Sequence, residues 1–288
     1  MPDSTYQLPI TQTMEPTTVA ELAVLLQQAH DQTAAVYPLG GQTAIHYGLA
    51  AKRDGWGMST TKLDKIIDFP VKDLTITVEA GITMQTLNEA LANEGLMLPL
   101  DVPQQMHATL GGVISTNTNG ARRFGFGTVR DYVIGIEAVN GKGQVFHGGG
   151  RVVKNVAGYD FCKLLTGSVG TLGIITQATV KLKPLPEESV TIVVGVGDPD
   201  VAEACVAMLM ESPTVPSAIE LLYGDSWSEL TGNFKDQLTL VVQLSGTAVE
   251  TAWGQRRLID DLKNQGAPGA SVLSSETHFN LWQQIQEF

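Results

Sequence analysis

The sequence predicts an α+β fold in two parts, and three observations support that reading. Up to residue 186, a helical segment, a short apolar strand and a loop give way to strand-like runs with an amphipathic helix among them. Glycine, 30 of 288 residues, gathers between residues 40 and 173 amid apolar runs. Beyond residue 186 the order becomes strand, helix, strand, strand, helix, strand, a ferredoxin-like arrangement. The length suffices for two ordinary domains. A composition of 43% hydrophobic and 17% charged residues suits chains that bury proper cores.

Thr17 and Thr18 supply a helix cap, after which Val19, Leu22, Ala23 and Leu26 share one face at helical spacing. Residues 35–39 form a short apolar strand that ends in Gly40-Gly41. Residues 74–79 alternate as a half-buried strand does. Thr83 caps a second helix with Met84, Leu87 and Leu91 on one face and Gly95 as its stop. Two strand-like runs between residues 132 and 146 flank Asn140-Gly141-Lys142-Gly143, a hairpin signal. Asp160 caps a short helix reaching Leu165, and residues 174–182 form the last strand of the first part. Two prolines and two acids in Lys183-Pro184-Leu185-Pro186-Glu187-Glu188 cannot continue a central strand, so the predicted domains are 1–186 and 187–288. The second holds strands at 190–196, 218–222, 238–244 and 270–273 and helices at 201–210 and 248–263. A further helix runs from His278 to the last residue, which reads equally as a docking tail or as a C-terminal domain cut short.

A net charge of −12 argues against a nucleic-acid partner, whose phosphates call for a basic surface. The basic residues Arg122, Arg123, Arg130, Arg151, Lys154 and Lys163 nevertheless share one stretch. Cys162 and Cys205, each in a helical setting, point to buried free thiols in a reducing compartment and not to a disulfide framework. No Cys/His cluster has metal-ligand spacing, and no metal is expected. The polar first twelve residues lack a signal-peptide core, and no apolar run approaches the roughly 20 residues of a membrane helix. The expectation is a soluble cytoplasmic chain that meets a membrane only through partner subunits.

The first segment with chemical content runs from Val36 to Gly48. A strand ending in paired glycines leaves consecutive backbone N–H groups free to face an anion, and such a nest binds pyrophosphate without a basic side chain. An ordinary strand-to-loop turn is the plain alternative. The loop is neither a GxGxxG fingerprint nor a P-loop, because no such run opens a helix and the lysine is missing. Its candidates are Pro38, Gly40, Gly41, Gln42 and Thr43. In the second segment, residues 108–120, Gly111 and Gly112 permit close backbone approach. Thr109 and Asn117 there offer hydroxyl and amide groups for phosphate or polyol oxygens. Gly125-Phe126-Gly127-Thr128 continues the permissive surface. A third run, Gly167-Ser168-Val169-Gly170-Thr171-Leu172-Gly173, turns sharply into Ile174-Ile175. Two glycine-rich loops far apart in sequence suit an elongated ligand with two phosphates.

Three runs together carry a resemblance. They are Gly120-Ala121-Arg122-Arg123 with Gly127-Thr128-Val129-Arg130-Asp131, then Val153-Lys154-Asn155-Val156-Ala157-Gly158-Tyr159-Asp160, then Gly167-Ser168 with Gly170-Thr171-Leu172-Gly173. They resemble the PCMH-type FAD-binding domain of the vanillyl-alcohol oxidase family, and within it the FAD-binding subunits of glycolate oxidases. The resemblance covers about residues 14–186 and is most specific across 109–183; later, mainly the element order agrees. It implies that residues 40–43 hold the FAD pyrophosphate through their backbone. It further implies that Thr109, Gly111, Gly112 and Asn117 line pyrophosphate and ribityl, and that Gly120, Gly127 and Val129 continue that wall. Ile174 and Ile175, beside Gly173, would meet the adenine end, and Lys154-Asn155 and Gly158-Tyr159 would lie near the isoalloxazine ring. Members that attach FAD covalently through the first loop place a histidine directly after the paired glycines. Gln42 stands there, so noncovalent FAD is expected, with His46 packing or hydrogen-bonding in its loop.

Catalytic residues stay unassigned at this level. Lys154 reads as a stabiliser of reduced flavin or as a surface lysine. Tyr159 reads as a substrate partner or a packing residue. Arg123, with Arg122, reads as a bidentate grip on a carboxylate or as a contact to a partner subunit. His107 and His147 are isolated, and His278 stands near the chain end without an evident partner. Related D-2-hydroxy-acid dehydrogenases carry paired histidines for metal and substrate in the C-terminal domain; only His278 follows residue 147 here. The resemblance implies oxidation of glycolate or a similar 2-hydroxy acid, glycolate giving glyoxylate. Electrons would leave through a second flavin subunit and an iron–sulfur subunit. A stand-alone FAD-dependent oxidase of an alcohol, lactone or hydroxy acid, and a structural subunit without turnover, are the other readings.

Overall fold

The computed structural model describes residues 7–150, 158–231 and 237–287. They divide into two compact units, one of Met1–Thr118 with Thr128–Pro184 and one of Asn119–Gly127 with Leu185–Phe288. The second unit thus takes in a nine-residue excursion from within the first, which no feature of the sequence announces.

In the first unit the Thr18 hydroxyl accepts the Glu21 N–H and opens the helix Val19–Asp31, which buries Leu22, Leu26 and Ala29. The helix packs on a parallel sheet ordered Ile10–Met14, Gly55–Ser59, Ala35–Leu39. Its central strand, Gly-Trp-Gly-Met-Ser, is invisible to propensity because glycine weakens a strand. Close packing explains both glycines. A Cβ on Gly55 would lie 2.5 Å from the Ala35 carbonyl oxygen, and one on Gly57 would lie 2.8 Å from Leu39 Cδ1. Leu22, Leu26 and Met58 then share a core with Val139 and Ile174 from a second sheet.

That sheet is antiparallel and ordered Ile66–Asp68, Thr75–Glu79, Ile174–Lys181, Val133–Val139, Val145–Gly149. The Asn140 side chain closes the hairpin by accepting the N–H groups of Lys142 and Gln144 at 2.9 and 3.1 Å. Helices Met84–Ala92 and Leu110–Thr116 bury Met84, Leu87 and Leu91 and Leu110, Val113 and Ile114, respectively. The run Thr128-Val129-Arg130-Asp131 folds as a capping box. The Asp131 carboxylate accepts the Thr128 N–H and O–H at 2.8 and 2.9 Å, and the backbone bond first of all holds its pKa below the ordinary carboxylate value.

The second unit's antiparallel sheet is ordered Ala218–Leu222, Leu238–Gly246, Glu188–Val196, Ser271–Val272, the ferredoxin-like order anticipated above. On one face Ile192, Val194, Leu240 and Val242 meet Cys205 and Leu209 of Pro199–Glu211 and Leu258 and Leu262 of Ala248–Asn264. On the other, Val193, Leu222, Trp227 and Val241 bury Leu281 of the last helix, Ser275–Glu287. This helix packs on its own sheet. Thr191, fully buried on the central strand, accepts the Trp282 Nε1–H at 2.7 Å and bonds His278 Nδ1 at 2.6 Å. The histidine that looked isolated in the sequence therefore has a partner 87 residues away. Cys162 and Cys205 are buried free thiols, and desolvation pushes Cys162 up to about 11.

Thr191→Val should cost about 1–3 kcal/mol, because it leaves the Trp282 N–H and the His278 ring nitrogen unpaired; the urea midpoint measures it. Burial also lowers the His278 pKa below its ordinary value of 6.5. The folded state then binds fewer protons than the unfolded one around that pH. The associated stability is complete above 6.5 and is lost as pH falls through 6.5 toward the depressed folded value. His278→Asn should flatten this acid limb, which unfolding midpoints taken between pH 5 and pH 8 will show.

Candidate functional site

The first unit contains a cleft built from three loops that leave its strands. Its walls are residues 38–45 with Tyr47, then Thr109, Gly111, Gly112, Val113, Ser115, Thr116 and Thr118, and a third group of Val169, Gly170, Gly173, Ile174 and Ile175; Thr60, Val102 and Pro103 complete it. The empty space in and over it is ≈ 970 Å³, counting the part open to solvent. Among the described residues no charged side chain lines it. In a chain of net charge −12, a phosphate there meets backbone dipoles and hydroxyls and no lining carboxylate.

The loops hold one another directly. A Cβ on Gly41 would overlap the His107 carbonyl oxygen, and a Cβ on Gly40 would overlap Thr109 Oγ1. The paired glycines are thus required by loop-to-loop contact as well as by any ligand. Gln42 adopts left-handed backbone with φ 59°. The N–H groups of Gly41, Gln42 and Thr43 find no intramolecular acceptor among the described residues. Free successive N–H groups about a left-handed residue form an anion-binding concavity.

The second loop spends its donors differently. Leu110 N–H bonds Ile82 O at 3.0 Å, Gly111 N–H bonds Ala80 O at 2.7 Å, and Gly112 N–H bonds Thr109 Oγ1 at 3.3 Å. The first turn of Leu110–Thr116 is therefore already satisfied, and the free donors for an anion belong to the first loop. Asn117, at φ 53°, ends this helix in the left-handed conformation that asparagine tolerates. The third loop is stitched onto the second by Gly167 N–H to Ile114 O at 3.0 Å and Val169 N–H to Ser115 O at 2.8 Å. Val169 has φ 51°, a conformation rare for a β-branched residue and costing about 1–2 kcal/mol. The bond to Ser115 holds it there. Beside it, a Cβ on Gly170 would lie 3.0 Å from Pro38 Cγ, which brings the third loop against the first.

Of the residues singled out from sequence, Pro38, Gly40, Gly41, Gln42, Thr43, Thr109, Gly111, Gly112, Gly173, Ile174 and Ile175 converge on this cleft. Asn117, Gly120, Gly127 and Val129 are not among its lining residues. Gly120 and Gly127 belong to the second unit, and the Val129 side chain is buried in the capped turn. Arg123 lies exposed on the short helix Arg123–Phe126, and Tyr159 is 83% exposed. Lys154 lies outside the described residues. His46 packs edge-on against Tyr47 with centroids 5.0 Å apart. His147 Nε2 pairs with Glu137 at 2.8 Å, and that carboxylate also accepts the Thr176 hydroxyl at 2.6 Å. Thr60, Val102 and Pro103 had no sequence signal beyond a threonine after a glycine-rich strand and a proline before the second loop.

Residues 10–149 match the FAD binding domain family. Most of the matched residues lie in the first unit. The chain is 36% identical to a D-2-hydroxyglutarate dehydrogenase of Xanthomonas citri pv. viticola, over 60% of this chain and 37% of that protein. It is 32% identical to glycolate oxidase subunit GlcD of Bacillus subtilis, over 72% of this chain and 44% of that protein. The structure of p-cresol methylhydroxylase superposes with a TM-score of 0.76 at 17% identity, covering 97% of this chain and 65% of that one, which shows the PCMH-type fold. The chain spans less than half the length of both relatives. No helix among the described residues is long and apolar enough to cross a membrane.

The loop geometry predicts a graded response at two glycines. Gly41→Ala should cost about 3 kcal/mol or more, since the overlap is with backbone, whereas Gly112→Ala, facing only Thr109 Oγ1 at 3.2 Å, should stay within about 1 kcal/mol. Thermal unfolding of the two variants decides this; equal losses would contradict the contact.

Proposed function

We propose that the cleft binds FAD noncovalently and that the chain is the FAD-binding subunit of an enzyme oxidising 2-hydroxy acids, with glycolate to glyoxylate as the reaction. The observation that carries the reading is a cleft in which, among the described residues, no charged side chain lines the wall and the successive N–H groups around left-handed Gln42 find no acceptor. These groups fit a pyrophosphate, and Gly41 and Gln42 with Thr43 would hold it. Thr109, Gly111 and Gly112 would flank the pyrophosphate and ribityl. Ile174 and Ile175, after Gly173, would receive the adenine. When bound, FAD supplies the two-electron acceptor for the hydroxyl-bearing carbon.

Gln42 occupies the position from which a histidine would attach the flavin, and its amide side chain forms no such bond. The names of the two relatives support a 2-hydroxy acid as substrate, since 2-hydroxyglutarate and glycolate share that group. Lys154, Tyr159 and Arg123 are the candidates for contacts at the reacting end. A second flavin subunit and an iron–sulfur subunit would carry electrons onward, and the division of the chain proposed here is an FAD-binding domain over 1–186 and a smaller α+β cap over 187–288.

Acid treatment of the purified chain should release a stoichiometric flavin that identifies as FAD; protein that retains none after refolding with FAD would remove the reading. Glycolate should bleach the flavin only once partner subunits are added. Turnover by the isolated chain would instead favour a stand-alone oxidase. Gly112→Val should fold yet lose FAD, because its side chain enters open cleft space where Gly112 has only Thr109 Oγ1 nearby.

A further inference from the structure

The antiparallel sheet of the first unit breaks its ladder where it meets the cleft. On the strand Ile174–Lys181, Gln177 pairs with Glu137 and Ile175 with Ala138, so Thr176 between them has no partner on Val133–Val139. One residue too many on one strand is a β-bulge, and a bulge beside a ligand site re-aims the residues it displaces. Register sets facing, because side chains along a strand alternate between the two faces of the sheet. In an unbroken ladder Ala138 would oppose Thr176 and Val139 would oppose Ile175; with the bulge they oppose Ile175 and Ile174. The two isoleucines that line the cleft are therefore placed by the extra residue.

Thr176 is fully buried and is held on two sides. Its carbonyl accepts the Ala80 N–H at 2.8 Å, and the Ala80 carbonyl in turn accepts the Gly111 N–H of the second loop at 2.7 Å. Its hydroxyl donates to Glu137 Oε1 at 2.6 Å. The other oxygen of that carboxylate, Oε2, lies 2.8 Å from Nε2 of His147, which is the direct cross-strand partner of Glu137. The Glu137 side chain is 17% exposed and that of His147 is 68% exposed, so a line of three polar side chains runs from solvent to the bulge. A buried hydroxyl needs an acceptor, and here the acceptor is an acid whose two oxygens are both engaged.

We propose that Glu137 is a positioning residue for the adenosine end of the ligand. Through the Thr176 hydroxyl it fixes the bulge, and the bulge presents Ile174 and Ile175 to the cleft. Neither Glu137 nor Thr176 lines the cleft, so both act through the two isoleucines. Without the hydrogen bond the bulge is free to shift along the strand, and the apolar contact offered to an adenine ring loses its fixed shape. The first loop, which supplies the free N–H groups, is untouched by such a change. The proposal rests on the cleft being the FAD site and deepens that reading by assigning the source of affinity for one half of the dinucleotide.

Binding of FAD and of its two halves, ADP and FMN, to the full chain stripped of flavin tests it. Thr176→Val keeps the branched shape and deletes the hydroxyl. It should weaken FAD and ADP about tenfold each, the size of one lost hydrogen bond, and leave FMN within about twofold. Glu137→Ala should do the same. Glu137→Gln, whose amide oxygen still accepts the hydroxyl, should return FAD and ADP to within about twofold of the unaltered chain. The two Glu137 variants decide the matter if Thr176→Val fails to fold. Losses shared equally by ADP and FMN would overturn the positioning role while leaving the FAD site standing. So would unchanged affinities in Thr176→Val and Glu137→Ala, or a glutamine variant no better than the alanine one. Failure of the unaltered chain to bind FAD would remove the FAD reading, and the positioning role with it.

Discussion

The contact of Gly41 with the carbonyl of His107 is the constraint on which the cleft depends. Backbone meets backbone there with no room for a Cβ, so the first loop can close on the second only if both glycines are present. Gln42 is left-handed in the closed loop, and the N–H groups of Gly41, Gln42 and Thr43 find no acceptor among the described residues. The third loop is then fixed from both sides, by Ser115 through Val169 N–H and by Pro38 against Gly170. An anion site made this way consists of oriented dipoles and needs no lysine or arginine, which suits a chain whose overall charge is strongly negative.

The surrounding architecture serves that closure. The parallel three-stranded sheet ends at the first loop and the antiparallel sheet delivers Ile174 and Ile175 to the cleft. The two share a core through Met58, Val139 and Ile174. Glycines at 55 and 57 let the central parallel strand approach its neighbours, so the position of the first loop depends on residues that show no preference for a strand. The second unit follows separate rules, a four-stranded sheet covered on both faces, with the last helix anchored by Thr191 and Trp282.

Much of this was legible in the residues themselves. Helix caps at Thr18, Thr83 and Asp160 act as local hydrogen-bond acceptors, so their roles survive any tertiary context. The βαββαβ order of the second unit was readable because its strands and helices are long and strongly patterned. The strands Ile10–Met14 and Gly55–Ser59 were not, since one lies in a polar N-terminal stretch and the other is rich in glycine. The partner of His278 was beyond reach because Thr191 is far away in sequence.

The sequence by itself determined which segments would form the cleft, since paired glycines after a strand and a glycine-flanked turn before another restrict the backbone locally. Only the tertiary structure decided what each glycine answers to. Gly40 and Gly41 meet the opposing loop, Gly111 meets Ala80, and Gly125 meets Pro216 and Ser217, some ninety residues further along the chain. A glycine's missing side chain states that something comes close, and which atom does so depends on chain segments brought together from far along the sequence.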